Sequence, residues 1–219
     1  MPAEFLVSSF FKWGGRKDDG PSASPVTAAT EPLTQSKVLP KVLATLSHVQ
    51  SPMLMDLGPV VGSNISFFGE HLGCKILVED MFAEVESHAK AGTRDALAVD
   101  LVARLKREPA SIDGVFCWDL FDYLDRLSSQ ALAAHLVKLL RPGGVLYGFF
   151  GSTPADLAYY TRFTVEAPDA MRLRQAPATP TRRNVLVTRD INKMFVGLDV
   201  KESVLLKSNA RETLFRKPS

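Results

Sequence analysis

Cysteine is scarce in this chain, long apolar runs are missing, and so is any strong excess of charge of one sign. Each absence excludes something. The two cysteines, Cys74 and Cys117, sit inside separate apolar runs with no Cys-x-x-Cys or Cys/His spacing. That argues against a disulfide framework or a zinc ribbon and predicts buried free thiols in a reducing, cytoplasmic setting. The four histidines, His48, His71, His88 and His135, are scattered without ligand spacing, so no metal is expected. No run approaches the roughly 20 apolar residues that span a bilayer. The "FLVSSFFKW" of Phe5 to Trp13 is too short, follows Glu4 rather than a basic lead, and runs into "GGRKDDG" without a small-residue cleavage pattern. It reads as a short docking helix or strand, with an interfacial anchor as the alternative. A formal net charge of +2 and the lack of a basic groove interleaved with aromatics exclude a typical nucleic-acid binder.

What is present suits one α/β domain with an extension. The chain has 219 residues and is 46% hydrophobic, enough for a single sizeable core. From Gly14 to about Pro32 it is rich in Gly, Pro, Ser, Thr and Ala and nearly free of bulky apolar residues, so it cannot bury enough surface to offset its ordering entropy. Residues 1–34 are therefore expected to be a largely flexible N-terminal extension, and residues 35–219 the folded domain. Apolar residues at helical spacing predict a helix from Thr34 to Val49, stopped by Pro52. Short apolar runs at Met53 to Leu57, Lys75 to Val78, Ile112 to Cys117 and Val145 to Phe150 alternate with helical patterns at Ser63 to His71, Met81 to Ala91 and Ser128 to Leu140. Such alternation predicts a parallel sheet covered on both faces. Ala96 to Val99 reads either as a further strand or as part of one helix running to Pro109. "VKESVLLKSN" and "RETLFRK", separated by a short Ser-Asn-Ala turn, predict a closing antiparallel hairpin.

The turn in "MLMDLGPVVGSNISFF" (residues 53 to 68) carries the functional signal. A phosphate loop needs GxxxxGK[ST], but Gly62 is followed by Ser63 and Asn64. A dinucleotide fingerprint needs G-x-G-x-x-G, but registering it on Gly58 places Val60 and Ser63 at the second and third glycines. What remains is Asp56-x-Gly58-x-x-x-Gly62, with Glu79 and Asp80 at the end of the next strand.

This combination resembles the class I S-adenosylmethionine-dependent methyltransferases, over about residues 36 to 216. Their first strand ends in D/E-x-G-x-G-x-G; Asp56, Gly58 and Gly62 match, and Val60 replaces the middle glycine. Their second strand ends in an acid that takes both ribose hydroxyls, which falls on Glu79, with Asp80 one residue away. Their fourth strand borders the reaction cleft, like "IDGVFCWDLFDYL", and their fifth follows a Pro-Gly-Gly-type turn, like "LLRPGGVLYGFF". The resemblance implies a doubly wound α/β fold: a mostly parallel seven-stranded sheet, helices on both faces and a C-terminal antiparallel hairpin. It also implies S-adenosylmethionine as cofactor and a methyl acceptor, either a small molecule or a protein side chain. Asp56, Gly58, Pro59, Gly62, Asn64, Glu79, Asp80, Met81, Trp118 and Asp119 are the implied cofactor contacts.

Bland readings stand beside these. Asp80 suits a helix start somewhat better than a ribose contact, Met81 and Phe82 equally suit the core, and Asp119 equally suits a helix cap. Asp100 is a further candidate, for an adenine amino group. Val60 raises a rival reading, a non-catalytic binding module on the same fold with a weakened cofactor site. The stretch from Thr153 to Thr181 is expected to roof the cleft.

Overall fold

The computed structural model describes residues 33–219, so the Phe5 to Trp13 stretch and the expected linker lie outside the described residues. Leu33–Gln35 forms a short strand, β1, and the chain then turns into helix α1, Leu39–Leu46. Ser36 builds this turn: its Oγ accepts from the amides of Val38 at 3.2 Å and Leu39 at 2.8 Å. Pro40 follows in the first helical turn, where a missing N–H is no loss. The helix expected from Thr34 thus begins at Leu39 and ends at Leu46.

Next come β2 (Met53–Asp56), α2 (Gly62–Leu72), β3 (Lys75–Val78) and α3 (Met81–Ala91). A 3₁₀ turn at Arg94–Ala96 leads into α4 (Leu97–Arg104), followed by β4 (Ile112–Trp118), a 3₁₀ turn at Leu120–Tyr123, α5 (Arg126–Leu139) and β5 (Leu140–Gly151). The last third contains β6 (Asp156–Ala167), β7 (Ala170–Arg182), α6 (Thr188–Met194), β8 (Asp199–Leu205) and β9 (Ala210–Arg216).

Among the described residues the main sheet has six strands in the order β3-β2-β4-β5-β9-β8. β3, β2, β4 and β5 run parallel, and β9 lies antiparallel between β5 and β8. The count of seven is corrected because the third α/β unit is helical where a strand was one option. Leu97, Ala98 and Leu101 are buried while Val99 is 69% exposed, which is the pattern of a helix face. A strand would place Leu97 and Val99 on the same side.

Side chains alternate across the sheet and separate two cores. Val145, Tyr147 and Phe149 of β5 join Leu54, Phe116 and Trp118 beneath α1 and α2. Leu146 and Phe150 join Met55, Val115 and Cys117 beneath α3, α4, α5 and α6. Burial from both sides is why every residue of β4 is buried. Both cysteines are free and buried. No helix among the described residues is long and apolar enough to cross a membrane.

A second sheet, β1-β7-β6, is antiparallel throughout. Its β6 strand is tied to α2 on one face of the main sheet, through Asn64. Its β7 strand is tied to α3 on the other face, where Glu86 accepts from the Thr179 amide at 2.9 Å and hydroxyl at 2.8 Å. The hairpin therefore crosses the edge where the parallel strands end, the place where open α/β sheets collect ligands.

Candidate functional site

Asp56 ends β2 and is 4% exposed. Its Oδ1 accepts from the Gly58 amide at 2.9 Å and from the Trp118 indole Nε1 at 2.6 Å. Burial pushes this carboxyl up to about 6; the two donors hold it down, and nearby Asp80 adds to the rise. Trp118 ends β4 with φ of 49°, a left-handed backbone that strains a bulky residue. Its ring stacks on Phe163 of β6, with centroids 5.1 Å apart and planes 13° apart. The edge of the same ring lies on Gly58, where a Cβ would come within 2.5 Å of Cδ1 and 2.7 Å of Nε1. Only glycine admits the indole there.

The rest of the turn is open. A Cβ at Gly62 would meet nothing within 4 Å, and Val60 is 60% exposed, with its backbone outside the left-handed region. Pro59 is buried. The first amides of α2 belong to Gly62 and Ser63, while those of Asn64 and Ile65 already bond the Val61 carbonyl.

The second strand brings Glu79 beside this turn, since the Glu79 amide donates to the Asp56 carbonyl at 2.9 Å. The Glu79 carboxylate pairs with Arg107 at 2.9 Å. Asp80 caps α3, accepting from the Ala83 amide at 3.2 Å, and has φ of 26°. Its pKa is raised by burial, against that amide and the charges of Arg104 and Arg162.

The fold itself uses two of the expected contacts. Asn64 is 2% exposed and clamps β6, donating to the Phe163 carbonyl at 2.7 Å and accepting from the Val165 amide at 2.8 Å. Met81 is fully buried in the core, and Phe82 packs edge-on to Tyr123 and tilted against Tyr160. Asp100 lies on α4 and pairs with His88 Nε2 at 3.2 Å, which Glu84 also approaches at 3.3 Å.

Beyond the Trp118–Phe163 stack lies a cavity of about 760 Å³. Phe163 and Asp119 line it, but Asp56, Gly58, Gly62 and Glu79 do not. Burial pushes the Asp119 carboxyl up to about 8; Asp122 adds to the rise, and a hydrogen bond from the Thr161 side chain opposes it. Its Oδ1 is buried without a hydrogen-bond partner. Asp122 is pushed by burial to about 6, against the Gly151 amide at 2.8 Å and Arg183 at 3.0 Å. Glu212 of β9 is completely buried; its Oε1 accepts from Ser36 and from the Tyr147 hydroxyl at 2.6 Å, and its Oε2 has no partner.

Sequence reasoning missed Asp122, Arg183 and Glu212. Glu212 left a readable signal, because it shares a strand face with Leu214 and so is an acid at a core position of "RETLFRK". Arg183 left none, since only the long β6–β7 hairpin brings it over Gly151.

No family model matches the chain, and no curated protein matches it in sequence. Solved structures do resemble it. One, from Galdieria sulphuraria and described as a candidate sarcosine dimethylglycine methyltransferase, is 13% identical over 82% of this chain and 84% of its own, with a TM-score of 0.50. Another is a Burkholderia thailandensis 1,6-didemethyltoxoflavin-N1-methyltransferase with bound S-adenosylhomocysteine. It is 14% identical over 84% of this chain and 80% of its own, with a TM-score of 0.48. At such identities the likeness concerns architecture alone: this chain shares the α/β fold of the Galdieria sulphuraria structure.

Proposed function

We propose that the protein binds S-adenosylmethionine and transfers its methyl group to an acceptor. The observation that carries this reading is the pairing of two features at the ends of adjacent parallel strands. One is the Asp56–Gly62 turn leading into the N-terminus of α2, and the other is the Glu79 carboxylate beside it. Glu79 suits a ribose diol, which offers two donors to one carboxylate. The amides of Gly62 and Ser63 suit the methionine carboxylate, because a helix N-terminus favours an anion. The cofactor supplies an activated methyl on a sulfonium, so the protein's own task is to hold and align the acceptor and exclude water.

The same geometry favours a second reading at one point. The donor-rich methionine ammonium needs an acceptor near Gly58, and there the Trp118 indole already holds Asp56 and fills the space above the glycine. The adenosine side thus fits the residues present, and the methionine side fits once the indole moves aside. A binding module in which the indole stays in place is the alternative. Isothermal titration with S-adenosylmethionine, S-adenosylhomocysteine and adenosine separates the two. The enzyme reading expects the full cofactor to bind more tightly than adenosine. Equal affinity of the two, or no binding of any ligand, supports the module.

A further inference from the structure

The cavity beneath the β6–β7 hairpin has walls of two kinds. Phe149, Leu157, Tyr159, Phe163 and Met171 make one part apolar and aromatic. Asp119, Asp122 and Glu212 supply carboxyls to the other. Two of these carboxyls are unfinished: Asp119 Oδ1 and Glu212 Oε2 are buried with no donor. Glu212 lines the cavity from beneath its surface, so a ligand reaches Oε2 only with a small shift of the cavity wall. Leaving such an oxygen unpartnered is unfavourable, more so when it is charged. Nothing in the packing requires an acid at position 212, because the Ser36 and Tyr147 hydroxyls that bond Oε1 could be served by an amide.

The charge in the cavity is also unbalanced. Arg183 forms an ion pair with Asp122, and Lys207 lies exposed on the turn between β8 and β9. Neither completes the two open oxygens. A ligand that does so must bring donors at that end, and a positive charge strengthens each bond; the Arg183 Nε, also without a hydrogen-bond partner, is held by its ion pair with Asp122. Burial raises the Asp119 pKa and Asp122 adds to the rise, while the charge of Arg183 opposes it.

We propose that this cavity binds a small arylalkyl amine, its ammonium group donating to the carboxyls of Asp119 and Glu212 and its apolar body lying against the aromatic wall. A volume of about 760 Å³ holds a ligand of that size. On the methyl-transfer reading, which this assignment rests on only for its role, the cavity is the acceptor site and the acceptor is an amine.

The test uses the full chain without cofactor. Phenethylamine and tryptamine are titrated calorimetrically alongside their matched alcohols and carboxylic acids. Each amine should bind at least tenfold more tightly than its matched alcohol and acid. Glu212→Gln and Asp119→Asn should each weaken amine binding at least tenfold; Asp119→Asn serves if the buried Glu212 change prevents folding. Equal binding of amine and alcohol, no binding of either amine at millimolar concentration, or affinities unchanged in a folded variant would overturn the assignment. A separate titration with S-adenosylmethionine keeps the two readings apart. Amine binding without cofactor binding keeps the cavity assignment and removes methyl transfer, and cofactor binding without amine preference does the reverse.

Discussion

Replacing Trp118 with phenylalanine removes one hydrogen-bond donor and keeps a ring that can still lie on Phe163. The donor is Nε1, 2.6 Å from Asp56 Oδ1. In the folded protein the Asp56 carboxyl titrates near 6, above its ordinary 3.8, so burial favours its protonated form. The sign follows: stability from this group is fully present below pH 3.8 and is lost as pH rises through about 6. The loss amounts to about 3 kcal/mol. The indole limits that loss by donating to the ionised form, and phenylalanine cannot. Trp118→Phe should therefore lower stability by about 1.5 to 3 kcal/mol at pH 8, where the bond is charge-assisted. At pH 5, where Asp56 is largely protonated, the lost bond is worth about 0.5 to 1.5 kcal/mol.

The smaller ring also leaves a void, whose effect is the same at both pH values. The informative quantity is thus the difference between urea unfolding at pH 8 and at pH 5, expected to be about 1 kcal/mol or more. Freed of the indole, Asp56 can accept from the methionine ammonium, and S-adenosylmethionine should bind about tenfold more tightly, or about 1.4 kcal/mol. A stability loss equal at both pH values would refute the charge-assisted bond. An affinity that stays level or falls would refute the competition between indole and cofactor.

The two glycines of the turn should respond oppositely to alanine. Gly58→Ala forces a Cβ to within 2.5 Å of the Trp118 ring and should lower stability by about 1 to 3 kcal/mol in thermal or urea unfolding. Gly62→Ala meets nothing and should raise stability by about 0.4 to 1 kcal/mol, while any fall in S-adenosylmethionine affinity would place the cofactor against it. Glu79→Ala should weaken S-adenosylmethionine binding by about 1.5 to 3 kcal/mol in calorimetry. Asp80→Ala should instead remove a helix cap, costing about 0.5 to 2 kcal/mol of stability with little change in affinity, and the reverse pattern would exchange their roles. Asp119 has a folded pKa of about 8 against 3.8, so its contribution is present below pH 3.8 and is lost as pH rises through about 8. Asp119→Asn should accordingly gain on the parent protein between pH 5 and pH 9. The full shift corresponds to about 6 kcal/mol; partial access of water to the rest of the residue reduces this, and at least about 2 kcal/mol is expected. A gain that does not grow with pH would show that Asp119 titrates normally.

The parallel strands were legible because burial on both sides writes them as continuous apolar runs between helical patterns, as in β4. The third unit was not, because "DALAVDLVARL" satisfies a short strand and a helix until it is known that Val99 faces solvent. The roof was legible as a location and, where "YYTRFTVEAPDAMRLRQ" alternates, as a hairpin, which β6 and β7 form. Its attachments, Asn64 to Phe163 and Val165, and Glu86 to Thr179, span long sequence separations and leave no local period. The turn illustrates a deeper limit. A glycine after the first strand reports that something passes close to the backbone, and at Gly58 the structure places a ring of the protein itself at that distance. Ligand and side chain impose the same steric demand, so no reading of the turn alone can distinguish them. The distinction lies with Trp118, which follows six residues that read as ordinary strand. Its left-handed backbone and buried hydrogen bond to Asp56 exist only in the folded chain. A backbone strain of about 1 to 3 kcal/mol is tolerated there because the bond to Asp56 and the stack on Phe163 oppose it. Those two contacts hold the indole over Gly58, and on the proposed reading their combined strength sets how readily it gives way to a cofactor.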